Sequence, residues 1–164
     1  MQLDLHKIIE VPGGKVSFTC EPDLADLDFD GIEGFYEPLK AVGQVMNRAG
    51  VLVLTAELTA GLDCVCARCL KRFRKAYSLS TEAVLSAEEP ENEDTDMYLL
   101  EGDCIDTDEV ILTAFVLSLD QRQLCSEDCK GLCSRCGKNL NDGPCACKAE
   151  SDPRLAVLGQ LLEE

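Results

Sequence analysis

A chain of 164 residues that is 46% hydrophobic and 28% charged is long enough to bury a core of its own. No apolar run approaches the ~20 residues of a membrane span, and the start, MQLDLHKIIE, has neither the basic nor the apolar region of an export signal. A net charge of −16 works against any broad, sequence-independent grip on nucleic acid.

In chain order, residues 15–20 alternate, with Val16, Phe18 and Cys20 on one face, and predict a strand. Residues 21–37 carry seven acids interrupted by proline and glycine, and read as a loop. Residues 39–46 and 51–58 are strand-like around Asn47, Arg48, Ala49 and Gly50, which predicts a hairpin. Val51 to Leu54 are apolar at every position, the pattern of a central strand covered on both sides. A further strand is expected from about Gly61 into Cys66, a turn at Cys66 to Cys69, and a return over 72–85 in which Leu79, Thr81, Ala83 and Leu85 alternate.

The acid-rich residues 88–96 have no core-forming pattern and predict a loop. A short strand at 97–100 and a turn at Glu101, Gly102 and Asp103 lead to Asp106, which with Glu109 resembles a capping box. The helix it opens, 107–119, places Ile111, Ala114, Phe115 and Ser118 at helical spacing. Asp152 and Pro153 open a terminal helix whose stripe of Leu155, Leu158, Leu161 and Leu162 is expected to dock on the domain. The fold class is therefore α+β: an antiparallel β meander, a helix, a Cys-rich zinc-binding loop and a short C-terminal helix. Residues 1–120 would form the β domain with its closing helix, and 121–164 the Cys-rich segment packed on it. No internal repeat is expected, and the two Cys-x2-Cys pairs read as differently embedded.

The chemistry concentrates in cysteine. Six of eleven fall between Cys125 and Cys147. An odd count in a chain without an export signal fits a reducing cytoplasm, where thiols bind metal rather than pair. Cys133-x2-Cys136 followed by Gly137 has the spacing of a zinc knuckle, and Cys145-x-Cys147 supplies a second pair for a tetrahedral site. Cys125 and Cys129 are alternates for that ligand set. Cys66-x2-Cys69 is a second thiol pair, open to three readings: a stabilised turn, two further ligands, or a thiol–disulfide couple. His6 lies far from every cluster in sequence and reads as a surface residue.

Charge is unevenly spread. Residues 86–109 hold eleven acids and no Lys or Arg, whereas Arg68, Lys71, Arg72, Arg74 and Lys75 form a basic island. These five are the candidate nucleic-acid contacts, although Phe73 and Tyr77 are the only aromatics near enough to stack a base.

Cys66-Ala67-Arg68-Cys69-Leu70, then CSEDCKGLCSRCGKNLN, then Asp152-Pro153-Arg154-Leu155, resemble in that order the YceD family of large-ribosomal-RNA-subunit accumulation proteins. The full cysteine cluster is similar to that of Gram-positive members; proteobacterial members largely lack it. The resemblance runs from about residue 39 to 162. It implies a role in the production, processing or stability of large-subunit (23S) rRNA, and brings no enzymatic mechanism with it. The reading is a cytoplasmic, non-enzymatic factor with a structural zinc site that binds rRNA or a pre-ribosomal particle, or holds a basic ribosomal protein. The alternative is a cysteine-based redox or metal-handling protein.

Overall fold

Two long strands joined by the shortest hairpin turn form the spine of the molecule. The computed structural model describes residues 1–24, 27–87 and 97–147. The acidic loop expected at 88–96 and the terminal helix expected from Pro153, with Leu155, Leu158, Leu161 and Leu162, lie outside the described residues. Strand β1 (Gln2–Asp4) leads into a one-turn helix α1 (His6–Ile9), and β2 (Lys15–Cys20) follows. Then come β3 (Ile32–Arg48), β4 (Val51–Val65), β5 (Arg72–Ser86), β6 (Met97–Leu99), β7 (Cys104–Asp106) and α2 (Thr107–Ser118). The main sheet has the order β2-β3-β4-β5-β6, and β1 pairs with β7 in a separate ribbon. Among the described residues, no helix is long and apolar enough to cross a membrane.

The fold is α+β, and it departs from the sequence reading in informative places. Strand β3 begins at Ile32, inside the expected loop, and reaches Glu37 and Lys40 through three register shifts that accommodate Gly34 and Pro38. The stretch expected as a separate strand from Gly61 is the second half of β4, which runs unbroken for 15 residues. The β2–β5 meander is antiparallel, but β6 pairs with β5 in parallel, Val84 opposite Met97. Central strand β4 buries Leu52, Leu54, Ala56, Leu58, Ala60 and Leu62 on one face; on the other Glu57 and Thr59 are exposed, and the buried Val53 and Gly61, the latter under the Tyr36 ring, are local exceptions rather than a sign of a second layer.

Asn47 is not a turn residue. It is buried near the end of β3, its Nδ2 donating to the carbonyls of Ile8 (2.9 Å) and Ile9 (2.6 Å), while its Oδ1 accepts from Gly50 N (2.7 Å). One side chain thus ties α1 to the β3–β4 hairpin. The turn itself is Ala49–Gly50, both at positive φ (55° and 97°), the two-residue geometry that suits the twist of paired strands.

The core lies between the buried face of the sheet and α2. Asp106 caps that helix by accepting from Asp108 N (2.9 Å). Thr107, Val110, Ile111 and Phe115 are its buried residues; Ala114 is half-buried and Ser118 exposed. Phe115 gathers Tyr77 (5.1 Å) and Phe29 (5.8 Å) edge-on, with Phe35 tilted beside it (6.2 Å), which concentrates half of the chain's eight aromatics at one point.

Candidate metal centres

The turn between β4 and β5 and the segment after α2 meet at the end of the sheet, and there the cysteines separate into two groups of four. Cys66, Cys69, Cys125 and Cys129 form an inner cluster, and Cys133, Cys136, Cys145 and Cys147 an outer one; within each, all Sγ atoms lie within 4.8 Å of one another. Cys66 Sγ is 3.7 Å from Cys129 Sγ, and Cys69 Sγ is 3.6 Å from Cys125 Sγ. A disulfide requires about 2.05 Å, whereas a tetrahedral ion with metal–sulfur bonds of about 2.3 Å spaces its sulfurs about 3.8 Å apart. The donor sets therefore fit a tetrathiolate metal ion.

Both clusters are built on the same turn. Cys66-Ala67-Arg68-Cys69-Leu70-Lys71 and Cys133-Ser134-Arg135-Cys136-Gly137-Lys138 share four of six residues. In the first, Cys66 N donates to Lys71 O (3.0 Å) and Leu70 N to Cys66 O (2.9 Å). In the second, Cys133 N donates to Lys138 O (2.8 Å) and Gly137 N to Cys133 O (2.9 Å). The residue after the second cysteine is left-handed in each, Leu70 at φ 58° and Gly137 at φ 70°. The expectation of differently embedded pairs is thus corrected: glycine serves the outer turn without strain, and the inner one carries leucine in the same backbone state.

Electrostatics repeat as well. Burial opposes ionisation of Cys66, but backbone N–H groups at Cys125, Cys69 and Arg68 win and draw its thiol down to about 6. Backbone N–H groups at Cys136 and Arg135 draw Cys133 to about 6 in the same way. Other thiols are pushed the opposite way and hold their protons, Cys69 and Cys125 in the inner cluster and Cys147 in the outer one. Cys125 is pushed up to about 12, first by its hydrogen bond with Cys69, and Cys147 to about 12, first by Cys136. Four thiolates this close cannot coexist without a cation, so an entering metal must displace thiol protons, those of Cys69, Cys125 and Cys147 among them.

The clusters differ in setting. Cys66, Cys69 and Cys129 are buried with Phe73, Leu124 and Leu132 packed round them, a second small core, while Cys136 and Cys147 are exposed. The inner one is wired into the sheet: Ala67 N donates to Gln123 O (2.8 Å), Leu132 N to Arg68 O (3.1 Å), and Arg68 Nη1 to the carbonyls of Glu127 and Cys129 (both 3.0 Å). Gly131 (φ 73°) comes so close to Arg68 that a Cβ would stand 3.0 Å from its carbonyl oxygen. Asn141 closes the far side, donating Nδ2 to Cys129 Sγ (3.3 Å) and accepting from Lys130 N (2.8 Å). Arg68→Ala should weaken metal held by the inner cluster about 10–100-fold, the usual effect of losing a group that positions ligands, and leave the outer cluster's affinity unchanged. Competition with a chromophoric chelator measures both.

Arg68 thus spends its guanidinium on the fold. The rest of the basic island divides between two faces of the sheet, because alternation turns Arg72 and Arg74 to the open side and Lys75 to the core side. Arg72 pairs with Glu33 (2.8 Å), Arg74 pairs with Asp63 (3.0 Å) and lies over Tyr36, and Lys75 pairs with Asp120 (2.8 Å). Only Lys71 of the five has no ion pair or side-chain hydrogen bond among the described residues. His6 is exposed and bonds Asp103 (2.7 Å), which pulls its pKa up. Cys20 and Cys64 lie buried in the main core, and Cys104 in β7.

What sequence reasoning missed is the joining of Cys66 and Cys69 to Cys125 and Cys129 across some 60 residues. The repeated C-x-R-C-x-K was the available signal, since a second knuckle needs a second pair of ligands.

Residues 54–162 match the family model described as large ribosomal RNA subunit accumulation protein YceD. Proteins described as uncharacterized from Mycobacterium tuberculosis and Mycobacterium bovis are 32% identical over 117 residues. The match covers 69% of this chain and 56% of theirs, so the chain spans little over half the length of these curated relatives. No solved structure matches.

Proposed function

The chain belongs to the YceD family, and from that membership and its two tetrathiolate clusters we propose that it is a non-catalytic factor supporting the accumulation of large-subunit rRNA, with zinc at both sites. The all-cysteine donor sets carry the reading. Four thiolates leave a zinc ion no open position for substrate, which suits a structural role and not hydrolysis. Cys66, Cys69, Cys125 and Cys129 would hold one ion and join the segment after α2 to the sheet; Cys133, Cys136, Cys145 and Cys147 would hold the other and shape the loop beyond.

Burial speaks against the thiol–disulfide alternative, because Cys66 and Cys69 are 0% and 6% exposed and out of reach of a protein disulfide. The neutralised basic island favours a protein component of the pre-ribosomal particle over bare RNA as the main contact. A phosphate reaching Arg72 or Arg74 would first displace Glu33 or Asp63.

A deletion strain complemented with variants tests the reading. Loss of the protein should lower the ratio of large- to small-subunit rRNA, and wild type and a Cys66→Ala/Cys69→Ala variant should respectively restore it and fail to. An unchanged ratio in the deletion strain would refute the assignment. Full rescue by the double variant would refute the role given to the inner metal.

A further inference from the structure

The open side of α2 and the β5–β6 edge of the sheet enclose a groove of about 1140 Å³. Apolar side chains predominate in its walls, Leu79, Ala83, Met97, Leu99, Ala114 and Leu117 among them. Leu117 is 80% exposed, Leu99 44% and Met97 38%, an unusual run of bare hydrophobic side chains on so charged a molecule. The lining includes Glu82, Glu101, Asp106 and Glu109 and no Lys or Arg; Glu82 pairs with Arg48 and Asp106 with the N-terminal amine, so Glu101 and Glu109 are the rim carboxylates without an ion pair among the described residues. Strand β6 and the start of α2, which form much of it, belong to the stretch 86–109, whose sequence holds eleven acids and no Lys or Arg.

We propose that this groove is the docking site for an amphipathic helix of a partner protein, apolar on one face and rich in Lys and Arg on the other. The inference rests on the family reading and names the partner's chemistry. Apolar walls select leucine-like anchors, and Val110 to Leu117 give about 10 Å of helix axis to pack against, enough for two turns presenting residues i, i+3 or i+4, and i+7. The acidic rim then selects the sign of the flanking charge. RNA is disfavoured because Tyr98 is the one aromatic in the lining and the rim repels phosphate. A second copy would bring acidic rim against acidic rim across a two-fold axis. Residues 148–164 offer leucines but carry four acids against Lys148 and Arg154, the wrong balance for this rim.

The test uses the full-length protein and a fluorescein-labelled 14-residue helical peptide with leucines on one face and lysines elsewhere. An otherwise identical peptide with glutamates for the lysines is the control. The lysine peptide should bind at least 10-fold more tightly than the glutamate peptide, and Leu117→Asp should weaken it at least 10-fold. Glu101→Gln with Glu109→Gln should lower affinity and flatten its salt dependence, while Val42→Asp, an exposed position outside the groove, changes nothing. Equal binding of both peptides, or indifference to Leu117→Asp, overturns the proposal. So does binding that appears only after Leu155, Leu158 and Leu161 are replaced by serine, which would mean the groove is filled by its own chain. A dimer in light scattering that Leu117→Asp dissociates would assign the groove to a second copy and also overturn it. Leu117→Asp is then expressed in the deletion strain. Full rescue of the rRNA ratio by a variant that has lost the peptide would sink the groove and leave the family reading intact; failure of wild type to rescue would sink the family reading itself.

Discussion

Replacing Cys129 by serine should release one metal equivalent and free the segment after α2 from the sheet, while the outer cluster stays loaded. Cys129 is buried, faces Cys66 at 3.7 Å, and sits where Arg68 and Asn141 both bind its residue. Without the ion, three thiols remain in a small core with nothing to balance their ionisation. Losing a structural metal belongs with the largest single-site effects, about 4 kcal/mol or more. At about 2–4 °C per kcal/mol for a chain of this size, the melting temperature should fall by roughly 10 °C. Cys136→Ser should also release one metal but move the melting temperature far less, because Cys136 and Cys147 are exposed whereas Cys66, Cys69 and Cys129 are buried. Limited proteolysis should then cut Cys129→Ser within residues 121–147 and leave β2–β5 protected. Equal thermal effects for the two variants would show that the inner cluster does not join the segment to the sheet.

Phe115→Ala should cost about 3–5 kcal/mol. The ring is 0% exposed and is the common neighbour of Tyr77, Phe29 and Phe35, so its loss opens a cavity that three rings cannot close without leaving their edge-on contacts. Urea titration should show the midpoint falling with the slope unchanged. Metal content should stay at the wild-type level in the folded state, because no cysteine of either cluster belongs to this core. A cost below about 1 kcal/mol would mean that α2 is not what covers the sheet.

Much of this architecture was legible in the residues. Alternation placed β2 and β5, the flanking turn residues placed the β3–β4 hairpin, and Asp106 marked the start of α2. The first half of β3 was hidden because its acids sit on exposed positions and its Gly34 and Pro38 sit at register shifts, so composition looked like a loop while the pairing with β4 continued. Asn47 was hidden because a turn-forming residue can also serve as a buried clamp, and only the position of α1 decides which. Parallel β6 could not be read from three residues, since direction depends on the connection before them. In the site, local spacing was enough to group Cys133 and Cys136 with Cys145 and Cys147, all within fifteen residues. The inner cluster joins the tip of a hairpin to a segment beyond the next helix, and spacing carries no information about such a meeting. The five-residue basic island shows another limit of reading charge from sequence. A sequence run lists charges without their partners, and here Glu33, Asp63 and Asp120 arrive from other parts of the chain.

The central claim is that eight cysteines form two independent tetrathiolate sites, one buried and one exposed. Native mass spectrometry of protein purified without chelator tests it most directly, applied to wild type, Cys69→Ser and Cys136→Ser. Two zinc ions on wild type and one on each variant is the predicted result. A single zinc on wild type that both variants abolish would contradict it, because the eight thiols would then be serving one shared site.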